Sequence, residues 1–270
     1  MRWSRQAEEA VSRVPFFVRK RVRRKVEEEA ARKGGREVTL EHVDSCRQRF
    51  LKNMEDEVKG YQLENCFGPG GCPNRAVADD DLIPRLEALI VGKNLRKFLK
   101  QRVQGPLKLH HEFRVSVSDC PNACSRPQIA DLGLIGAVRP RLMQGACVQC
   151  GACVEICRES ALRLPEGAED PILEPEKCVA CGQCIAVCPS AALEKDSEGY
   201  RILIGGKLGR HPQLATELDG IHSKKEVLEL VEKCLRHYLN HNTQGERFGE
   251  IINLTGLDFL CVAPHREEGR

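Results

Sequence analysis

Fifteen cysteines punctuate this sequence of 270 residues, and twelve of them fall into spacings that ligate metal. Cys147, Cys150, Cys153 and Cys157 form a C-x2-C-x2-C-x3-C run in CVQCGACVEIC. Cys178, Cys181, Cys184 and Cys188 repeat it in CVACGQCIAVCP, with every offset equal to 31. Three thiolates at this spacing wrap one face of a cubane [4Fe–4S] cluster, and the backbone between them can donate hydrogen bonds to its sulfides. A pair of zinc sites is the alternative chemistry, because C-x2-C pairs serve zinc as well. A further set is split: Cys66 and Cys72 are a C-x5-C pair in NCFGPGGCPNR, Cys120 and Cys124 are a C-x3-C pair in DCPNACSRP, and 47 residues lie between the pairs. Two such pairs can close a third [4Fe–4S] site from separate loops. Gly68, Gly70 and Gly71 let backbone approach a bulky cofactor, and Pro121 fixes the turn that aims Cys124. Cys46, Cys234 and Cys261 fit no ligand spacing and read as buried or bystander thiols. His110 and His111 precede a strand and read as structural or solvated.

The duplicated run resembles bacterial-type two-cluster ferredoxins over about 45 residues. In those proteins the fourth cysteine of each run ligates the other cluster. The resemblance therefore implies one cluster on Cys147, Cys150, Cys153 and Cys188, and a second on Cys178, Cys181, Cys184 and Cys157. Arg158 follows Cys157 where that family usually has the proline seen here as Pro189. That position shapes the turn and does not ligate.

The split set resembles the sirohaem-dependent sulfite and nitrite reductases, whose cluster motif is C-x5-C followed distantly by C-P-N-x-C. HHEFRVSVSDCPNACSRPQIADLGLIG is similar to the anaerobic and dissimilatory sulfite reductases, and YRILIGGKLGRHPQLA and GERFGEII to a later part of the same domain. The resemblance spans about 61–255 and implies that Cys124 bridges a third cluster to sirohaem iron, while Cys66, Cys72 and Cys120 hold the cluster alone. It implies six-electron reduction of a small oxyanion, sulfite or nitrite. Arg126, Lys207 and Arg210 are candidate anion contacts, with ordinary surface cations as the plainer reading; no catalytic residue is otherwise assigned. Members of that family have two pseudo-symmetric halves, and only the cysteine-bearing half is visible here. A partner is therefore expected, either a homodimer or a second reductase subunit, together with an electron donor protein. The rival reading is an electron-transfer subunit with three clusters and neither sirohaem nor catalysis of its own. A third is a tetrapyrrole-handling or regulatory protein.

These cysteines need a scaffold. Phe113, Val115 and Val117 alternate with polar neighbours and predict a strand running into Cys120. Short apolar runs predict strands over Leu132–Val138 and 200–206. Helices are predicted over 83–104, with a break at Gly92, and over 223–240 and 246–254. Residues 1–60 read as helical: Val11, Val14, Val18, Val22 and Val26 recur at helical spacing, Pro15 splits the run, and Thr39 caps the next helix. WSRQAEEAVSRVPFFVRKRVRRKVEEEAARKGGREVTLEHV resembles the small helical domain of light-independent protochlorophyllide reductases. That likeness implies contact with a tetrapyrrole or a cluster-bearing partner. The expected fold class is α+β: a sulfite-reductase-like half-domain in two parts, 61–143 and 196–270, interrupted by a ferredoxin-like 2[4Fe–4S] insert at 144–195 and preceded by an all-α domain at 1–60.

Composition sets the outer bounds. Hydrophobic residues are 41% and charged residues 30%, the balance of a globular chain. A net charge of +3 and 4% aromatics argue against a nucleic-acid partner. No segment approaches the roughly 20 apolar residues of a membrane span, and the first residues lack the apolar core of a secretory signal. Fifteen cysteines serving as thiolates require a reducing compartment, so the expected location is cytoplasmic.

Overall fold

The computed structural model describes residues 1–260, excluding the side chains of residue 17 and residues 51–54. The chain divides into two compact units, Met1–Lys59 with Val103–His110, and Gly60–Arg102 with the residues from His111 onward. Cys261 lies outside the described residues.

The smaller unit carries β1 (Arg2–Trp3), α1 (Arg5–Ser12), α2 (Phe16–Arg32), β2 (Glu37–Val38) and α3 (Leu40–Glu57). Pro15 sits at the start of α2, where its fixed φ suits helix entry and its missing N–H costs nothing. Thr39 precedes α3 and donates its N–H to Nδ1 of His42 at 3.1 Å. Ala7, Val26, Ala30 and Val38 form the core of this unit, with Cys46 packed partly against it. Trp3 donates from its indole N–H to Glu27 at 2.8 Å, and Arg23 lies 4.2 Å above its ring. Glu29 is buried between Arg32 and Arg49, whose cations hold its carboxyl below the usual range.

The larger unit opens with β3 (Tyr61–Asn65), α4 (Leu82–Val91), α5 (Leu95–Arg102), β4 (Phe113–Ser118) and β5 (Leu132–Leu142). The cysteine repeat follows, with α6 (Ala152–Ile156), β6 (Leu162–Arg163), β7 (Ile172–Leu173) and α7 (Gln183–Ala186). The chain then returns through β8 (Leu193–Ile204) and β9 (Thr216–Glu217) to α8 (Lys224–His241) and α9 (Phe248–Thr255). The main sheet has the order β3-β4-β5-β8-β9. Its first three strands are parallel, and β5 pairs antiparallel with β8 over its whole length, Leu132 opposite Ile204 at one end and Leu142 opposite Leu193 at the other.

One face of the sheet meets α4, α8 and α9. Phe113, Val115, Val117, Leu132 and Leu134 point into that core, where they meet Leu86 and Ile90 of α4 and Val227, Val231 and Leu235 of α8. The α8 positions recur at i and i+4, the spacing that gives a helix one apolar stripe. Burying each such side chain stabilises the fold by roughly 1.5–3 kcal/mol. Ser223 caps α8: its N–H donates to Glu226 at 2.7 Å and its hydroxyl accepts from the Glu226 N–H at 3.4 Å. Cys234 is fully buried here, as expected for a bystander thiol.

The core side is locked by Asp131, which enters β5. It is fully buried and accepts from Arg247 Nε at 3.1 Å, Arg247 Nη2 at 2.8 Å, the Phe248 N–H at 3.1 Å and the Arg114 N–H at 2.8 Å. Four donors offset the cost of burying the carboxylate and tie α9 to the sheet. Among the described residues no helix is long and apolar enough to cross a membrane.

Candidate metal centres

The 31-residue repeat is also a repeat in backbone shape. Gln149 and Ala180 have φ of 56° and 57°, Gly151 and Gly182 of 74° and 71°, and Ser160 and Ala191 of 52° and 55°. Each pair is 31 residues apart. The left-handed residue before the second cysteine turns the chain back on itself, and the glycine after that cysteine opens α6 or α7. Two short helices therefore present the same cysteine pattern to two different cavities.

One cavity, of about 230 Å³, is lined by Cys178, Cys181 and Cys184 and by Cys157 of the other run. The narrower one is lined by Cys147, Cys150 and Cys153 and by Cys188. The electrostatics group the same cysteines. Burial pushes the Cys184 thiol up to about 12, and Cys181, Cys178 and Cys157 push the same way. Burial also raises Cys153, with Cys147 and Cys188 adding to it. Burial opposes ionisation of Cys188, but the N–H groups of Leu193, Ser190 and Ala192 and the Ser190 hydroxyl outweigh it and lower the thiol overall. Further backbone donors reach sulfur from Gln149 to Cys147 and from Ala161 to Cys157, both at 3.3 Å.

The split pair comes together at the end of the parallel strands. Cys66 follows β3, and its N–H donates to the Val117 carbonyl at 3.0 Å, which places it beside the end of β4. Cys120 lies just beyond β4 and is buried; burial raises its thiol, and Cys66, Cys124 and Cys72 raise it further. All four thiols thus converge on one region. Cys66 accepts from the N–H groups of Gly68 and Asp119, both at 3.3 Å. Cys124 is exposed and accepts from Asn122 Nδ2 at 3.0 Å. Cys120 and Asn122 also line the cavity of Cys178, so these two sites share a wall.

Several residues that build this region carry no signal in the cysteine spacing. Asp119 is buried and accepts from Arg75 Nε at 2.7 Å, while its carbonyl accepts from the N–H groups of Ala76 and Val77 at 2.9 and 3.2 Å. It therefore joins the loop after Cys72 to the loop of Cys120. Ser125 donates to the Val117 carbonyl at 2.7 Å and shares a 2.6 Å hydrogen bond with Ser118, which anchors the residue after Cys124. Gly136 of β5 lies against the Asp119 backbone: a Cβ there would sit 2.5 Å from its carbonyl oxygen. Gly68 has a similar role, since a Cβ would overlap the Asp119 carboxylate. Close approach at Gly68 thus serves a protein side chain, whereas Gly70 and Gly71 have open space beside them. An acid and a base flanking cysteines, as in NCFGPGGCPNR and SDCPNAC, were the available clue.

The three candidate anion contacts differ. Arg126 is exposed and has a left-handed φ of 60°. Lys207 is buried and donates to Glu250 at 2.6 Å. Arg210 is exposed in the loop closed by the mutual Lys207–Gln213 backbone pair. Gly206 abuts the carbonyls of Gln128 and Ala130, so the Arg126 and Lys207 loops lie side by side. Among the described residues, no three His, Cys, Asp or Glu side chains are gathered tightly enough for a single metal ion. The thiols instead surround wider spaces, and four sulfur donors with backbone N–H groups aimed at them form a donor set that suits a multi-iron cluster.

Residues 62–262 match the family described as the nitrite and sulphite reductase 4Fe-4S domain, and the chain belongs to that family. Residues 3–47 match the proto-chlorophyllide reductase 57 kD subunit family. Over 193 residues the chain is 34% identical to the coenzyme F420-dependent sulfite reductase of Methanocaldococcus jannaschii, a match covering 71% of this chain and 28% of that protein. It is 26% identical over 138 residues to one subunit of the anaerobic sulfite reductase of Salmonella typhimurium, covering 46% of this chain and 36% of that one. Among solved structures, dissimilatory sulfite reductase I superposes with a TM-score of 0.49 at 18% identity, over 83% of this chain and 60% of that chain. The chain thus spans about a third of the length of these two curated relatives.

Proposed function

We propose that this chain is an iron–sulfur oxidoreductase component of the sulfite and nitrite reductase type, with three [4Fe–4S] clusters and a sirohaem site. The observation that carries the reading is the sorting of cysteines: each ferredoxin-type cavity takes three thiols from one run and the fourth from the other, beside a split set that shares a wall with one of them. Cys147, Cys150, Cys153 and Cys188 would hold one cluster, Cys178, Cys181, Cys184 and Cys157 the second, and Cys66, Cys72, Cys120 and Cys124 the third. Within this third set, Cys124 is the exposed thiol free to bridge to haem iron. When bound, the clusters and sirohaem would store single electrons and deliver them to a small oxyanion, sulfite or nitrite.

The chain's own residues do the positioning. Backbone N–H groups donate to the sulfurs of Cys66, Cys147 and Cys157 at 3.3 Å, and those around Cys188 favour its thiolate over the thiol. Asp119 and Arg75 clamp the two cysteine loops together, and Ser118 with Ser125 fixes the turn that offers Cys124. Arg126 and Arg210 are exposed cations available for sirohaem carboxylates or substrate. Lys207 is already committed to Glu250. A sirohaem carries eight carboxylates, and burying them against few cations is costly. The site is therefore completed by a partner, a second copy of this chain or a second reductase subunit. The visible spectrum and metal content of anaerobically purified protein test the reading. The expected result is about thirteen irons per chain, about twelve in clusters and one in sirohaem, with the sharp bands of sirohaem on the broad iron–sulfur absorption. Stoichiometric zinc without iron would refute it; iron without sirohaem bands would move catalysis to another protein and leave this chain an electron-transfer subunit.

A further inference from the structure

Building on the proposed function, we propose that the face around Val148 and Cys150 docks the electron donor, and that this donor is a redox protein presenting a basic patch. The direction of the row follows from the cavities. The cavity of Cys157, Cys178, Cys181 and Cys184 has Cys120 and Asn122 in its wall, and its loop is fastened to β5 by the Val138 N–H on the Ala180 carbonyl at 2.7 Å. The cavity of Cys147, Cys150, Cys153 and Cys188 takes no wall residue from the loops 66–77 or 119–126. It is the outer end of the row, and the split set is the inner end.

The outer end is open and apolar at its centre. Val148 lines the cavity yet is 62% exposed, and Cys150 is exposed beside it. Its rim is acidic. Glu166 and Glu169 are exposed in the 165–170 loop, which is held against the first cysteine run by two hydrogen bonds. Gln149 Nε2 donates to the Ala168 carbonyl at 3.1 Å, and the Gly145 N–H donates to Asp170 at 2.9 Å. Residues 144–195 contain eight acidic and four basic side chains, a net of −4 in a chain whose total is +3. Thiolate-bound clusters add further negative charge. A small apolar centre flanked by an acidic loop suits a transient encounter, in which charge steers and orients the partner and the apolar contact seats it. A donor with an acidic face would be repelled, so the complementary face is basic. On transfer, one electron leaves the donor's reduced centre and enters the outer cluster; the donor is oxidised by one, the cluster reduced by one, and no bond or proton moves.

The test uses the full chain, purified anaerobically, with cytochrome c as a basic probe protein. Affinity is read by calorimetry on the oxidised chain, where no electron moves. Rate is read as reduction of ferric cytochrome c by the pre-reduced chain, one electron converting Fe(III) haem to Fe(II). The double variant Glu166→Lys with Glu169→Lys is expected to weaken both affinity and rate about ten-fold, and raising salt from about 20 to about 200 mM to do the same to the natural chain. Asp219→Lys with Glu229→Lys makes an equal charge change at exposed positions outside the insert and is expected to alter both less than two-fold. Unchanged affinity and rate in the first variant, with iron content and paramagnetic resonance intact, would overturn the docking surface while leaving the proposed function standing. Equal losses in both variants would show that only net charge acts, and would overturn it as well. Zinc in place of iron would bring down the proposed function and this inference with it.

Discussion

The backbone N–H of Val138 donates to the carbonyl of Ala180 at 2.7 Å, two positions along β5 from Gly136, which bears on the backbone of Asp119. One strand thus carries both the loop of the second cysteine run and the loop of the split set. Gly136 leaves no room for a side chain against that backbone. Gly136→Val should displace the Asp119–Cys124 loop and cost about four irons per chain, while the two ferredoxin-type sites keep theirs. Iron analysis together with paramagnetic resonance checks this. Full iron content would show that the loop tolerates the side chain.

If the fourth cysteines are exchanged as proposed, the damage from their loss should be crossed. Cys188→Ser should perturb the cluster that Cys147, Cys150 and Cys153 would hold, and Cys157→Ser the one that Cys178, Cys181 and Cys184 would hold. Resonance spectra of the two variants, recorded during reductive titration, would show different signals lost. Loss of the same signal in both would contradict the cavity assignment.

On the proposed assignment the exposed Cys124 would be the bridging thiol, so Cys124→Ser should abolish electronic coupling between cluster and sirohaem. Cys46→Ser, at a half-buried position against the core of the helical unit, should leave every spectrum unchanged. Equal effects from the two would mean the ligands are wrongly assigned.

The clasp of Asp131 by Arg247 predicts a stability effect without a spectral one. Asp131→Ala leaves a guanidinium and two backbone N–H groups at a buried site without their acceptor. The expected cost is about 3–5 kcal/mol, read as a lower midpoint in denaturant unfolding. A shift of under about 1 kcal/mol would place the pair among ordinary surface ion pairs.

A pH dependence follows from His237, whose ring stacks between His241 at 4.0 Å and Phe259 at 3.9 Å. Burial first, and then His241, holds its imidazole below the ordinary 6.5. On acidification the unfolded chain takes up this proton before the folded chain does. The stability is therefore complete above about pH 6.5 and is lost as the pH falls through the lower folded value. His237→Gln should flatten that acid-side decline in urea midpoints measured from about pH 7.5 to about pH 5. An unchanged slope would assign the decline to other groups.

Much of this was legible in the residues because ligand spacing is local. Cysteines three and four positions apart must share a turn, so the repeat at Cys147 and Cys178 points to candidate sites without tertiary knowledge. The strand into Cys120 was legible because apolar Phe113, Val115 and Val117 alternate with polar residues and face the core. The strand β3 was not: Tyr61–Asn65 lies at the sheet edge with partly exposed residues and no alternation. The strands expected over 132–138 and 200–206 prove longer, running to Leu142 and from Leu193. Their outer halves carry Arg141 and Glu194, which pair with each other in solvent, and hydrophobic pattern cannot find a strand that buries little. The Arg75–Asp119 clamp spans 44 residues, a contact that only the folded sheet creates.

The long β5–β8 hairpin also bears on how such a chain could have arisen. Leu142 and Leu193 are register partners, so the two ends of the cysteine-rich piece stand one strand spacing apart. A compact module whose own termini are neighbours enters such a joint without shifting either strand or disturbing the core beneath. The hairpin tip is thus a joint where a compact module can be received without reshaping the sheet.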